Sequence, residues 1–327
     1  MRAAVLSFLF IAATLCTACT EEPEVNASFH FTSFPDFFNW NIPNPEPGWD
    51  QAVGWFLDRV KQEGPAFALI AGDITDARWN KTEQEVKSNT KLYWTGFKKR
   101  FDDKGITVYI APGDHEYGDN AGLLIPKLAR VFAEQFTSLL GMPKNGPEGH
   151  VGRAFTVVKE NLAVITLDTF EDTGSKFAVT VSGKQLAWFE EQLKKHQDKQ
   201  FIIVQGHAPI VGPVTSKWSS GLMLEGGANS AAWKLMVKYG VDAYFCGEHH
   251  AFTATKKDGI WQVVHGHLWG YDTTLHYVRG SVSPGQLVLG RYDFDVEYSG
   301  GSLTAQHTAG KGPREKVAIS ASALKSG

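Results

Sequence analysis

Five places along this chain set carboxylate or imidazole side chains just past a short apolar run. They are Asp36; Gly72-Asp73-Ile74-Thr75-Asp76; Gly113-Asp114-His115-Glu116; Gly206-His207-Ala208-Pro209; and Gly247-Glu248-His249-His250. In four of them a glycine, which lets the backbone turn tightly, precedes the acid or histidine; Asp36 follows Pro35 instead. One such cluster would be read as a turn or a helix cap. Five in the same position relative to their apolar runs point to ligands that converge. A mixture of carboxylate and imidazole suits Zn, Fe or Mn better than Ca, which takes oxygen alone.

The elements that must position these residues follow from hydrophobic period. Ala27 to Phe34 alternates as a strand, and Val53, Phe56, Leu57 and Val60 carry a helical period. Ala66 to Ala71 and Ile106 to Ala111 are short apolar runs expected to be buried strands, with a helix from Lys81 to about Asp102 between them and Gly105 to stop it. Ala121 to Leu140 reads as helical, with Pro126 either kinking it or marking a first turn. Strands are expected at Ala154 to Val158, Ala163 to Asp168, Phe201 to Val204 and Ala243 to Cys246, with helices at Lys184 to His196 and Ser230 to Tyr239. From Ala251 onward the pattern is β: Phe252 to Thr255, Trp261 to His265, Gln286 to Leu289, Tyr292 to Val296 and Leu303 to His307. This is one α/β domain of two sheets with helices outside, and ligands in such folds gather at the C-terminal ends of strands.

At 327 residues, 43% hydrophobic and 20% charged, the composition is globular. A net charge of −3 leaves no basic footprint, so no specific nucleic-acid binding is expected. Residues 1–19 read as a signal: Arg2 is the positive start, Ala3 to Leu15 an apolar stretch short for a bilayer span, and small residues follow. Cys19 stands where a bacterial lipoprotein would be lipidated, although Leu15 is one residue early for that site, so a cleaved signal and a lipid anchor both fit. The chain is therefore expected to be exported, to the periplasm or outer membrane of a bacterium or secreted otherwise. Residues 20–26 are a linker, 27–312 the domain and 313–327 a tail rich in Ser, Ala, Lys and Gly. Cys246 alone lies outside the signal, so the domain has no disulfide framework to rely on.

In order and spacing the five clusters resemble those of the calcineurin-like metallophosphoesterases, the group that includes the purple acid phosphatases. Their usual motifs are Asp-x-His, Gly-Asp, Gly-Asn-His-Glu/Asp, a strand-end His, and Gly-His-x-His. The resemblance runs from about Ala27 to about His307, with Ala208-Pro209 as a supporting feature. It implies a four-layer α/β/β/α sandwich of two mixed sheets with a dinuclear metal site at one edge. It also implies hydrolysis of a small phosphate ester, monoester or diester, by a metal-activated hydroxide. Carried over by position, Asp73 would bridge the metals, Asp36 and His250 would hold one, and Asp114, His207 and Glu248 the other. His115 would act on the leaving group, and Glu116 would orient His115 through a hydrogen bond.

Three departures alter the charge of that site. Phe38 stands where the first motif has His, Asp114 replaces Asn, and Glu248 replaces the first His of the last motif. Purple acid phosphatases also lack the first-motif His and carry a Tyr after the bridging Asp; the matching residue here is Asp76. Four carboxylates nearly neutralise two divalent ions, which favours Fe, Mn or Mg over Zn and a singly charged diester over a monoester dianion. The same departures leave open a catalytically impaired binding or scaffold protein of this fold, and a metallohydrolase of another bond is a further alternative. Glu248 is either a ligand or an outer partner of one, and Asp36 has no confirming neighbour in the sequence. His249 is expected to point away from the site, Asp168 to be structural and Cys246 to be a buried small residue. His265-Gly266-His267 is either a second pair of imidazoles at the site or ordinary hairpin sequence.

Overall fold

Phe29–Phe34 (β1) sets the plan of the molecule, because Phe29 and Phe31 face one core and Phe34 another. The computed structural model describes residues 27–34, 36, 49–78, 81–216, 219–266, 274–299, 302–305 and 311–321. The signal and linker segments, Cys19, Phe38 and His267 lie outside the described residues.

After β1 the chain alternates helix and strand: α1 (Trp49–Glu63), β2 (Ala68–Ile70), α2 (Glu83–Asp102) and β3 (Val108–Ile110). The Thr82 hydroxyl caps α2 by accepting from the Glu85 amide at 3.1 Å, and Gly105 follows its end with φ 67°. A 3-10 turn at His115–Tyr117 leads into α3 (Asp119–Leu123) and α4 (Pro126–Leu139). Pro126 opens α4 rather than kinking it, since the first helical position needs no amide donor.

The second half holds β4 (Phe155–Lys159), β5 (Leu162–Thr166), the hairpin β6 (Phe170–Asp172) and β7 (Phe177–Val179), α5 (Gly183–Lys195), β8 (Phe201–Gln205), α6 (Ala231–Lys238) and β9 (Ala243–Cys246). It closes with β10 (Phe252–Lys257), β11 (Ile260–His265), β12 (Thr274–Ser283), β13 (Gln286–Ser299), β14 (Ser302–Ala305) and β15 (Lys311–Ser320).

Two mixed sheets result. One runs β14-β13-β12-β1-β2-β3, with β15 also paired to β13; the other runs β10-β11-β9-β8-β5-β4. Strands β1, β2 and β3 are mutually parallel, as are β5, β8, β9 and β11. Parallel strands are buried on both faces and must be apolar throughout, and three cores meet that need. Phe34, Ile70 and Ile110 pack outward against Phe56, Trp94, Phe101 and Phe132 of the first helical layer. Phe31, Leu69 and Val278 meet Val164, Ile203 and Phe245 between the sheets. Ile165, Val204 and Tyr244 pack against Phe189, Trp233 and Met236 of α5 and α6. The layers are therefore α/β/β/α.

The C-terminal part differs from the sequence reading in three ways. Residues 286–299 form one strand where two were expected, β12 was not anticipated, and residues read as a tail from 313 form most of β15. β15 pairs Val317 with Leu289 and Ile319 with Leu287, and those two side chains pack against the inter-sheet core. Its Lys, Pro and Arg content suits an edge strand and hides it from a composition-based reading. β12 is masked by Gly280, whose missing side chain makes room for the Phe31 ring. A Cβ at that position would overlap the ring. Gly280→Ala should therefore lower unfolding free energy by about 1–3 kcal/mol in urea denaturation, the usual cost of overpacking a filled core.

Candidate metal centre

Parallel strands end on the same side, so the residues just past β1, β2 and β3 in one sheet and β8 and β9 in the other reach one edge together. Asp36 follows β1, Asp73 follows β2 and Asp114 follows β3; His207 follows β8, and Glu248 and His250 follow β9. Asp73, Glu248 and His250 adopt φ values of 55°, 67° and 56°, a left-handed conformation uncommon for non-glycine residues that recurs where side chains are aimed at a site. Two glycines act differently, by lacking a side chain. A Cβ at Gly113 would overlap Asp73 Oδ1, and one at Gly247 would overlap Asp36 Oδ1 and lie 2.8 Å from His207 Nδ1.

His207 is the centre of the cluster and is fully buried. Its Nδ1–H donates to the Ala71 carbonyl at 2.7 Å, so Nε2 is turned to the acids. Nε2 lies 3.1 Å from Asp114 Oδ1, 3.3 Å from Asp73 Oδ2 and 3.8 Å from Glu248 Oε2; Nδ1 lies 3.8 Å from Asp36 Oδ1. His250 Nε2 is 3.2 Å from Asp36 Oδ2, and His115 Nε2 is 3.9 Å from Asp73 Oδ2. Three groupings have potential ligand atoms within 4.8 Å of one another: Asp36–Asp73–His207, Asp73–Asp114–His115 and Asp114–His207–Glu248. Asp73, Asp114 and His207 each belong to two of them.

Both Asp36 carboxylate oxygens, Asp114 Oδ1 and His207 Nε2 are buried and make no hydrogen bond of acceptable geometry among the described residues. Buried polar atoms that converge without well-made hydrogen bonds are costly unless a proton or a metal cation lies among them. The carboxylate and imidazole donor set fits a transition metal or Mg. The electrostatics agree. Burial, then the charge of Asp73, pushes Asp36 well above the usual carboxylate range, and burial and Asp114 raise Asp73. Burial works against a charge on His207, yet Asp73, Asp114 and Glu248 outweigh it and raise its pKa well above the ordinary value. Burial likewise opposes ionisation of Asp114, but His207 and His115 hold it down at about 2.

The residues singled out from the sequence fall into distinct places. All six proposed ligands and His115 gather at the sheet edge. Glu116 does not orient His115. Its Oε2 accepts from the Asp73 and Gly113 amides at 2.7 and 2.8 Å, and its Oε1 from the Ile74 amide at 3.0 Å, so it ties the loops after β2 and β3 together. The turn that carries Glu116 directs its side chain back under the loops. His115 Nδ1 is instead hydrogen-bonded to the Asp76 carbonyl, which leaves Nε2 facing Asp73. The Asp76 side chain lies 3.2 Å from Arg78 Nε and is in none of the three groupings. His249 is turned aside, its ring nitrogens 3.2 and 3.1 Å from the carbonyls of Ala251 and Thr215. Cys246 is buried in the outer core, with burial raising its thiol pKa. His265 is also buried, against the Phe245 ring, and burial pushes it down to about 3.

Asp168, expected to be structural, is the hub of a buried hydrogen-bond network. Its Oδ2 accepts from Tyr117 Oη at 2.7 Å and lies 2.9 Å from both Arg153 Nε and His150 Nδ1; its Oδ1 accepts from the Phe170 amide. Tyr117 sits on the same turn as His115, so this network braces that turn. No spacing signal joins residues 117, 150, 153 and 168; only the fold does.

The edge of the two sheets thus gathers carboxylates and imidazoles that could hold metal ions. Residues 29–252, more than half the chain, match the calcineurin-like phosphoesterase family model, and the protein belongs to that family. It is 26% identical over 250 residues to mouse tartrate-resistant acid phosphatase type 5, covering 71% of this chain and 65% of the mouse protein. It is 24% identical over 271 residues to the rabbit protein of the same name, covering 75% and 72%. The match thus spans less than two thirds of the mouse relative. Among solved structures, GAP50 of Plasmodium superposes with a TM-score of 0.48 at 13% identity, over 85% of this chain and 89% of that one, too distant to carry an argument.

Asp168 is held below the ordinary carboxylate range; burial opposes this, and His150 and Arg153 overcome it. A depressed carboxylate pKa stabilises the fold above the unfolded value of ~3.9, and that stability is lost as pH falls through the folded pKa. Asp168→Asn, which leaves Arg153 without its charge partner, should cost about 3–5 kcal/mol in denaturant titrations at pH 7. The gap from wild type should narrow only in strong acid.

Proposed function

We propose that the protein is an exported dinuclear-metal phosphoesterase that hydrolyses small phosphate esters. The observation that carries this reading is the convergence of Asp36, Asp73, Asp114, Glu248, His207 and His250 at one sheet edge, where both Asp36 oxygens and Asp114 Oδ1 are buried without a hydrogen bond among the described residues. Asp73 would be shared between the two ions, Asp36 and His250 would hold one, and Asp114, His207 and Glu248 would hold the other. When bound, the two ions supply Lewis-acid polarisation of the phosphoryl oxygens and acidify an attacking water.

The chain's own residues do the rest. His115, with Nδ1 committed to the Asp76 carbonyl, presents Nε2 at the edge of the site to donate a proton to the leaving oxygen. Glu116 ties the Asp73 and Gly113 amides together, so Asp73 and the turn bearing His115 are held to one another. This ordered His115 favours an enzyme over an inert scaffold, which has no need of a leaving-group acid. Export is inferred from residues 1–19, with the alternative of lipid attachment at Cys19.

Four carboxylates also bear on metal and substrate. Two divalent ions among them keep little net positive charge, so hard ions (Fe, Mn or Mg) and a singly charged phosphodiester are favoured over Zn and a monoester dianion. Elemental analysis of protein purified without added metal should find about two Fe or Mn per chain, by the dinuclear model. Asp73→Asn should lose them, and wild type should cleave bis(p-nitrophenyl) phosphate with higher kcat/KM than p-nitrophenyl phosphate. Stoichiometric Zn together with the opposite substrate preference would reject the metal and substrate assignments. A metal content unchanged by Asp73→Asn would reject the centre itself.

A further inference from the structure

Glu248 stands where the resembling family carries an imidazole, and the exchange alters what the ligand can do. An imidazole offers a metal one nitrogen in a fixed direction. A carboxylate offers two oxygens and can chelate with both or swing between them. Here one of the two is already taken. Glu248 Oε1 accepts from the Ser220 hydroxyl at 2.6 Å, the Gly221 amide at 2.6 Å and the Leu222 amide at 3.2 Å, while Oε2 faces His207 and Asp114.

We propose that Ser220–Leu222 form a strap whose function is to position Glu248, leaving it one metal-facing oxygen in place of the imidazole, so that metal binding and closure of the strap are linked. This rests on the metal centre proposed above.

The strap is well placed for the task. Gly221, at φ 79°, turns the chain so that successive donors point the same way, and a Cβ there would press to 2.9 Å from Thr215 Cγ2. The neighbouring segment is held by the turn that carries the ligand: the Ser216 hydroxyl donates to the His249 carbonyl, and His249 Nε2 lies against the Thr215 carbonyl. Beyond the strap, the Leu224 and Glu225 amides donate to Pro209 and Val179 at 2.9 and 2.8 Å. The Leu222 side chain packs on the cluster of Tyr117, Phe170 and Phe177, which borders the His115 turn. Polar and apolar contacts thus run from Glu248 through the strap to the other side of the site.

Linkage between ligand and strap is reciprocal. Donors that hold Glu248 in its ligand conformer raise metal affinity, and a bound ion that holds Glu248 favours the closed strap by the same factor. Outer hydrogen bonds to metal ligands commonly tune affinity by about 10–100-fold.

The test uses the full chain, stripped of metal and titrated with Mn²⁺ by calorimetry, alongside hydrogen exchange of the Gly221 and Leu222 amides. Wild type and Ser220→Thr should bind alike, and Ser220→Ala should bind one of two ions about 10-fold more weakly. Ser220 is an exposed loop residue, so both variants should melt with wild type. Mn²⁺ should slow exchange of the two amides in wild type and leave it unchanged in Glu248→Ala. Two ions bound equally by wild type and Ser220→Ala, with exchange indifferent to Mn²⁺, would overturn the strap proposal while leaving the metal centre intact. Wild type binding no Mn²⁺, Fe or Mg would overturn both.

Discussion

Four carboxylates packed around one buried imidazole repel one another, and each also loses the hydration that would stabilise its charge. Asp36, Asp73, Asp114 and Glu248 lie within 3.1 to 3.8 Å of a His207 ring nitrogen. Left alone, such a group lowers its energy by taking up protons, which is why Asp36 and Asp73 are raised and His207 is driven towards its cationic form. A metal pair relieves the same repulsion without protonation. Much of the surrounding structure exists to keep the acids from moving apart: parallel strands ending at one edge, left-handed residues at Asp73 and Glu248, and glycines where a side chain would strike an acid.

Two other buried carboxylates show what an acid looks like when the protein itself supplies its partners. Glu116 receives three backbone amides, and Asp168 receives a phenol, a guanidinium, an imidazole and an amide. Both are braces: one locks the loops after β2 and β3, and the other locks the turn bearing His115 against the start of the second sheet. Asp36, equally buried, has neither oxygen so satisfied. Hydrogen-bond completeness, rather than burial or residue type, separates the bracing carboxylates from those that could hold a cation.

Glu248 stands between these classes, with one oxygen satisfied and the other turned inward. Its satisfied oxygen is held by Ser220, Gly221 and Leu222, a loop remote from it in sequence.

Much was legible in the order of residues alone. Buried parallel strands are continuous apolar runs, and a ligand placed just past such a run must lie at the sheet edge, so the α/β class and the set of converging acids and histidines could be read from spacing. Partner choice could not. Glu116 follows His115 in sequence, yet its oxygens bond the Asp73 and Gly113 amides because a 3-10 turn directs them there. The Asp168 hub joins residues from three separate stretches, and β12 is hidden by a glycine whose reason is a ring packed across from it. Periodicity is a local property, carried by a few neighbouring residues and visible without the fold. Hydrogen-bond partners and steric room are set by chains that meet only after packing, and those the tertiary structure alone decided.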